Sequence, residues 1–376
     1  MEAYLDNSAT TPLCPEAAEA MQEAVGQLWG NPSSLHRLGL EAEHLLARCR
    51  ADVAAGLRCT PGEIIFTSGG TETNNLALFG AAAALKRRGR RIVTSAVEHS
   101  SIAESAAELQ RRGFDVVYLG VDSWGRISEQ ELQRAVTRDT ILVSLMAVNN
   151  EVGTIQPVDA VRRVLRQANA PALVHCDAVQ AFGKLPVVPQ RLGVDLLTVS
   201  AHKIHGPKGA GALYVRKGVR IQPILFGGSQ EQKLRPGTEA VPAIAGFAAA
   251  VRAMPDLQQS LAYVSGLRER LVQGLAAMEG VKINSPADAL PYLTNISLPG
   301  LQSETLLNFL SGRGVYVSSG SACAKGKKSR VLRAMGLSDP DIAGALRISL
   351  SRFTAWEEID AFLFALDEAR ISLARK

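Results

Sequence analysis

The chain has 376 residues, 47% hydrophobic and 20% charged, which fits two or three globular domains with real cores and excludes disorder and collagen-like repeats. Five cysteines, odd in number, far apart and without a CxxC, argue against a disulfide framework or a structural zinc site. A net charge of +5, from 41 basic and 36 acidic residues, is mild and sits in two clusters, Lys86 to Arg91 and Lys325 to Arg330. The first ends a predicted helix, where cations complement the negative end of the dipole. Direct nucleic-acid binding is not expected. The most apolar run, Ala240 to Val251, is shorter than the roughly 20 residues of a membrane span and is interrupted by Pro242. The acidic opening Met1-Glu2-Ala3-Tyr4-Leu5-Asp6 does not resemble a targeting peptide, so a cytoplasmic protein is expected.

Along the chain, three- and four-residue spacing of Ala42, Leu45, Leu46, Cys49, Val53 and Leu57 predicts a helix with a buried stripe. Strands are predicted at Ile64–Thr67, Arg91–Thr94, Val116–Leu119, Ile141–Leu145, Ala172–Cys176 and Leu196–Ser200, alternating with helical stretches such as Asn74–Lys86. Several are continuous apolar runs, as in strands covered on both faces. The alternation predicts an α/β fold with a mainly parallel sheet between helices. After Met254 the pattern changes: a long helix (Leu257–Met278), strands Leu293–Leu298 and Gly314–Ser318, and a last helix from about Thr354 predict a smaller α+β domain.

In such a sheet the ligand lies beyond the carboxyl ends of the strands. There the sequence places Ser68-Gly69-Gly70-Thr71 before a helix, then Glu98-His99, Asn149-Asn150-Glu151, Asp177-Ala178-Val179-Gln180, and Ser200-Ala201-His202-Lys203. A glycine turn at a helix N-terminus offers free N–H groups to an anion. Each of the others has a bland account as a cap or a solvated loop residue, but their convergence on one rim does not. No GxGxxG follows a strand, and GxxxxGK[ST] and HExxH are absent, so dinucleotide, P-loop and zinc-hydrolase readings fail. A phosphate cradle, a lysine and a strand-end aspartate match the needs of pyridoxal 5'-phosphate.

These segments, together with Leu5-Asp6-Asn7-Ser8-Ala9-Thr10-Thr11-Pro12, Gly30-Asn31-Pro32-Ser33-Ser34 and Ser318-Ser319-Gly320-Ser321-Ala322-Cys323, resemble the cysteine desulfurases of aminotransferase class V, the iron–sulfur-cluster and nitrogen-fixation type. The resemblance runs collinearly from Tyr4 to Phe353. It implies aminotransferase fold type I, with a large cofactor-binding domain at 13–256 and a small domain formed by 1–12 and 257–376. It implies conversion of L-cysteine to L-alanine, with sulfur carried as a persulfide on Cys323 to an acceptor protein, either an iron–sulfur scaffold or a tRNA-thiolating enzyme. Lys203 would hold the cofactor and move the Cα proton, Asp177 would keep the ring nitrogen protonated, His99 would stack on the ring, and Gln180 would bond its phenolic oxygen. Gly70, Thr71, Ser200 and His202 would bind the phosphate, joined by Thr238 from the second subunit of a homodimer. Asn31, Asn150 and Arg347 would hold the substrate carboxylate. No resident metal is implied, and Cys323 is the one candidate for a transient iron–sulfur ligand.

Cys323 lies in a Gly/Ser-rich stretch followed by cations, a setting for a reactive thiolate. The seven residues between it and Val331 are fewer than in the iron–sulfur-assembly type and resemble members serving a dedicated acceptor. Gly70 stands where many relatives carry Ala. A selenocysteine lyase or a class V aminotransferase shares these cofactor residues and is the nearest alternative.

Overall fold

The computed structural model describes residues 2–320 and 328–373. After a short first strand, β1 (Ala3–Tyr4), seven strands build the central sheet: β2 (Ile64–Thr67), β3 (Arg91–Ser95), β4 (Asp115–Leu119), β5 (Thr140–Met146), β6 (Leu173–Asp177), β7 (Leu196–Ser200) and β8 (Gly211–Val215). Their order is β2-β8-β7-β6-β5-β3-β4, and every pairing is parallel except the two made by β8. The six predicted strands are all present. β8 is the addition: only a single 3-10 turn at Ala201–Lys203 and no α-helix separates it from β7, so the chain returns antiparallel rather than by a crossover.

All seven residues of β5 and all five of β7 are buried, which accounts for sequences of apolar residues broken only by small hydroxyl side chains. On the predicted helical stripe, Ala42, Leu46, Cys49, Val53 and Leu57 are buried on the helix Arg37–Leu57. The apolar run at 240–251 forms the helix Val241–Arg252, which packs against both Pro15–Gly26 and Arg37–Leu57. Being covered all round, it has no polar face to show in the sequence.

The C-terminal part contains β9 (Lys282–Ile283), β10 (Leu293–Ser297), β11 (Val315–Tyr316) and β12 (Ala345–Ser349). β12, β10 and β9 form an antiparallel sheet; the helix Leu257–Ala276 packs against β9, and Trp356–Ser372 packs against that helix, β1 and β11. The opening of the chain returns to this region. β1 pairs parallel with β11, and Asp6 bridges to Ser349 at the end of β12. Residues 6–9 therefore run from the C-terminal sheet to the carboxyl edge of the central one.

Candidate active site

A cavity of about 240 Å³ lies at the carboxyl ends of β5, β6 and β7. Gly70, Thr71, His99, Asn150, Asp177, Gln180, Ser200, His202, Lys203 and Arg347 all line it. Two predicted residues do not. Asn31 is exposed, and its carboxamide oxygen accepts from the Ser33 N–H at 2.9 Å, closing a turn; the structure does not bring it to the cavity of its own chain. Thr238 is likewise exposed and outside that cavity. Cys323, Lys325 and Lys327 lie outside the described residues.

One end of the cavity is an anion cradle. β2 runs through Ser68 and Gly69 into the helix Gly70–Leu85, whose first-turn N–H groups have no partners within the helix. Gly69 has φ +144°, and a Cβ on Gly211 would come within 2.7 Å of the Gly69 Cα, so the turn needs glycine on both sides. A Cβ on Gly70 would meet the Val179 Cγ2 at 3.1 Å, a contact that a small shift of Val179 relieves. The Ser200 Oγ faces this end and, although buried, has no hydrogen-bond partner among the described residues. His202 contacts the Thr10 hydroxyl through Nδ1 at 3.2 Å, and burial, reinforced by Lys203 and Lys208, pushes its pKa down to about 4. It is neutral at pH 7.

At the other end Asp177 closes β6. Its Oδ1 accepts from the Val179 N–H at 3.0 Å and its Oδ2 from the Asn74 Nδ2 at 2.8 Å. Asn74 donates also to the Ser101 hydroxyl (2.9 Å), which lies 2.8 Å from the His99 Nδ1. The Ser101 N–H points at the same nitrogen, so His99 carries its proton on Nε2 when neutral. Burial lowers the His99 pKa, and Asp177 opposes that shift. Sequence reading missed Asn74 and Ser101 as members of this relay. The helix begins at Gly70 and not at Asn74, and Asn74, one turn in, projects from the same face as Gly70.

Lys203 follows β7 and donates to the Ser8 and Ala9 carbonyls at 2.5 and 2.7 Å. Gln180 donates through Nε2 to the same Ser8 carbonyl at 3.1 Å. Arg347, on β12, is 1% exposed; its guanidinium donates to Asp6 at 2.8 Å and to the Asn150 carbonyl at 3.0 Å, and its Nε has no partner among the described residues. The Asn150 Oδ1 is also buried without one. Glu98, beside His99, is buried; it accepts from Ser95 and the Met146 N–H, and burial pushes its carboxyl up to about 8. Gly320 and Ser329, flanking the segment that carries Cys323, both lie against Glu151. A Cβ on Gly320 would be 3.3 Å from the Glu151 Oε2, and the Ser329 hydroxyl donates to it at 2.5 Å.

Buried polar atoms without partners mark places where a bound group would complete the hydrogen bonding. Among the described residues lining this cavity they are the Ser200 hydroxyl beside the helix N-terminus, the Asn74 and Asn150 carboxamide oxygens and the Arg347 Nε, with a carboxylate and a lysine between. A phosphate at the cradle, a ring nitrogen at Asp177 and an aldehyde carbon at Lys203 fit this set, and pyridoxal 5'-phosphate carries all three. Fold and site together define a pyridoxal-phosphate-dependent enzyme of fold type I. The chain belongs to the aminotransferase class V family, whose profile matches residues 3–362. It is 41% identical over 369 residues to the cysteine desulfurase IscS of Methanosarcina thermophila, covering 97% of this chain and 91% of that one. Among solved structures it is similar to a NifS-like protein, with a TM-score of 0.94 at 42% identity over 99% of this chain and all of the other. It is also similar to a structure described as SspA in complex with cysteine, with a TM-score of 0.83 at 33% identity over 94% of this chain and all of that one.

Proposed function

We propose that the chain removes sulfur from L-cysteine, leaving L-alanine and passing the sulfur on through Cys323. It is a pyridoxal-phosphate-dependent cysteine desulfurase, as relatives of about 40% identity over nearly the full chain are named. The observation that carries the residue roles is the convergence of Asp177, Lys203, His99, Gln180 and Arg347 on one cavity that also contains an anion cradle. No helix among the described residues is long and apolar enough to cross a membrane.

When bound, the cofactor supplies an aldehyde that condenses with amines and a protonated ring that draws electrons from the substrate Cα. Asp177 holds the proton on the ring nitrogen, its own oxygens fixed by Asn74 and the Val179 N–H. Gly70, Thr71, Ser200 and His202 bind the phosphate. Lys203 would hold the cofactor through its amine and would carry the proton at the substrate Cα. His99 packs on the ring with its orientation set through Ser101. Arg347 and Asn150 orient the substrate carboxylate, the planar guanidinium suiting two parallel hydrogen bonds. The Cys323 thiolate attacks the substrate sulfur: an S–S bond forms, the Cβ–S bond breaks, and the electron pair left on the substrate takes up a proton. Asn31 joins only if its exposed turn moves onto a cavity.

The pairing of β1 with β11 and the bridge of Asp6 to Ser349 support a division at 13–256 against 1–12 plus 257–376. Thr238, exposed here, suits a residue that completes the cavity of a second copy in a homodimer. The sulfur acceptor is a protein, and the cell compartment is the cytoplasm. Adding cysteine to the cofactor-loaded protein tests the function: alanine and sulfide should appear together, and the Cys323→Ser protein should lose sulfur release. Undiminished turnover by that variant would leave a class V aminotransferase or lyase that does not use Cys323.

A further inference from the structure

Lys184 is 6% exposed, and its ammonium donates to the Gln180 Oε1 at 3.3 Å while lying 5.5 Å from the Tyr292 ring. Among the described residues no carboxylate pairs with it; the nearby charge that acts on it is Arg347, of the same sign. Taking an ammonium out of water costs several kcal/mol, which a neutral amide oxygen and a ring face offset only in part. Burial accordingly pushes its pKa down to about 8. Such a cation is under-compensated until an anion comes near.

The hydrogen bonds show which way it acts. Lysine can only donate and a backbone carbonyl can only accept. With the Lys184 Nζ on one end of the Gln180 amide and the Ser8 carbonyl on the other, the amide orientation is chemically forced, with Oε1 towards Lys184 and Nε2 towards Ser8. The second Nε2 hydrogen remains as a donor in a residue that lines the active-site cavity. The Ser8 carbonyl also takes the Lys203 ammonium, so one line of contacts joins Lys184, Gln180, Ser8 and Lys203.

We propose that Lys184 is a positioning residue that acts through Gln180: it locks the amide with its N–H towards the cavity and places a positive charge behind it, supporting an anionic phenolic oxygen on the cofactor. This rests on the reading that Gln180 faces that oxygen. Other groups share the field. Arg347 acts directly on Lys184; His202 and His205 feel its charge; Lys203 and Arg352 line the small cavity beside it. A cation near a titrating group disfavours the protonated form, so removing it moves the midpoint to higher pH.

The test is a double-mutant cycle on the reconstituted protein, reading the cofactor dissociation constant and the pH midpoint of the bound cofactor's visible band. Lys184→Met should weaken cofactor binding roughly tenfold, about 1.4 kcal/mol, and raise the midpoint. In a Gln180→Ala background the same substitution should change binding less than about twofold, because the route is already cut. Lys184→Gln, which can still donate to Oε1 without charge, should keep most of the affinity yet move the midpoint, and it decides the matter should the Met variant not fold. Additive effects in the cycle, or an unmoved midpoint in Lys184→Gln, would overturn the proposal. An unaffected Gln180→Ala protein would instead overturn the placement of Gln180, and with it the reading beneath.

Discussion

The two walls of the cavity are built differently. On the central sheet, Asp177, Asn74, Ser101 and His99 form a chain of hydrogen bonds of 2.8–2.9 Å, each group held by the next. Opposite, on β12 and the opening segment, Arg347 is engaged by the chain's own Asp6, and Lys203 reaches across to the Ser8 and Ala9 carbonyls. The first wall is ready for a ring and needs no rearrangement. The second holds its two cations on internal partners, which on the proposed roles a cofactor aldehyde and a substrate carboxylate would replace. The central-sheet wall is therefore preorganised, while the wall of Arg347 and Lys203 would exchange its partners.

Losing the exchanged cation should do the most damage. Lys203→Ala should reduce alanine formation roughly 10³-fold or more, since among the described residues no other lysine lines that cavity. A residual rate within tenfold of the parent would break the comparison. On the preorganised wall, Asp177→Asn should retain cofactor but slow turnover about 10²-fold, because a neutral partner holds the ring proton poorly. A rate-limiting step that shows no hydrogen isotope effect at Cα in that variant would argue that Asp177 does not act there. Asp6→Asn should lower the KM for cysteine several-fold, roughly threefold to tenfold, by relieving the competition for Arg347; a raised KM would show that Asp6 orients the arginine instead.

The smallest effect concerns Glu98. Burial lifts its folded carboxyl from 4.5 to about 8, so the folded protein keeps a proton that the unfolded chain releases. Its contribution is fully present below about 4.5, declines as pH rises, and is lost above about 8. Glu98→Gln should therefore flatten the fall of stability across that window, as read from denaturant midpoints at fixed pH. An unchanged slope would mean that Glu98 is ionised in the fold.

The central sheet and its rim were legible because their signals are local. Apolar runs ending in Asp177-Ala178-Val179-Gln180 or Ser200-Ala201-His202-Lys203 show both the strand and what lies beyond it. The engagement of Arg347 by Asp6, 341 residues away, leaves no trace in either segment. Nor does the Lys184–Gln180 contact, which depends on an irregular turn without helical or strand period. β8 was hidden by the glycine-rich stretch before it, and Asn74 by a helix that starts four residues earlier than its apolar pattern. Asn31 sits in a motif that resembles its relatives, yet in its own chain it closes an exposed turn.

On the proposed mechanism, sulfur leaves cysteine by way of Cys323 while Lys203 handles the carbon skeleton. A single-turnover reaction of the cofactor-loaded protein with cysteine, without acceptor or reductant, tests it when alanine is quantified and the Cys323 peptide is weighed. One alanine per active site, and a peptide heavier by one sulfur atom that a reductant removes, is the predicted result. Alanine formed at the same yield with an unmodified Cys323 peptide would contradict it.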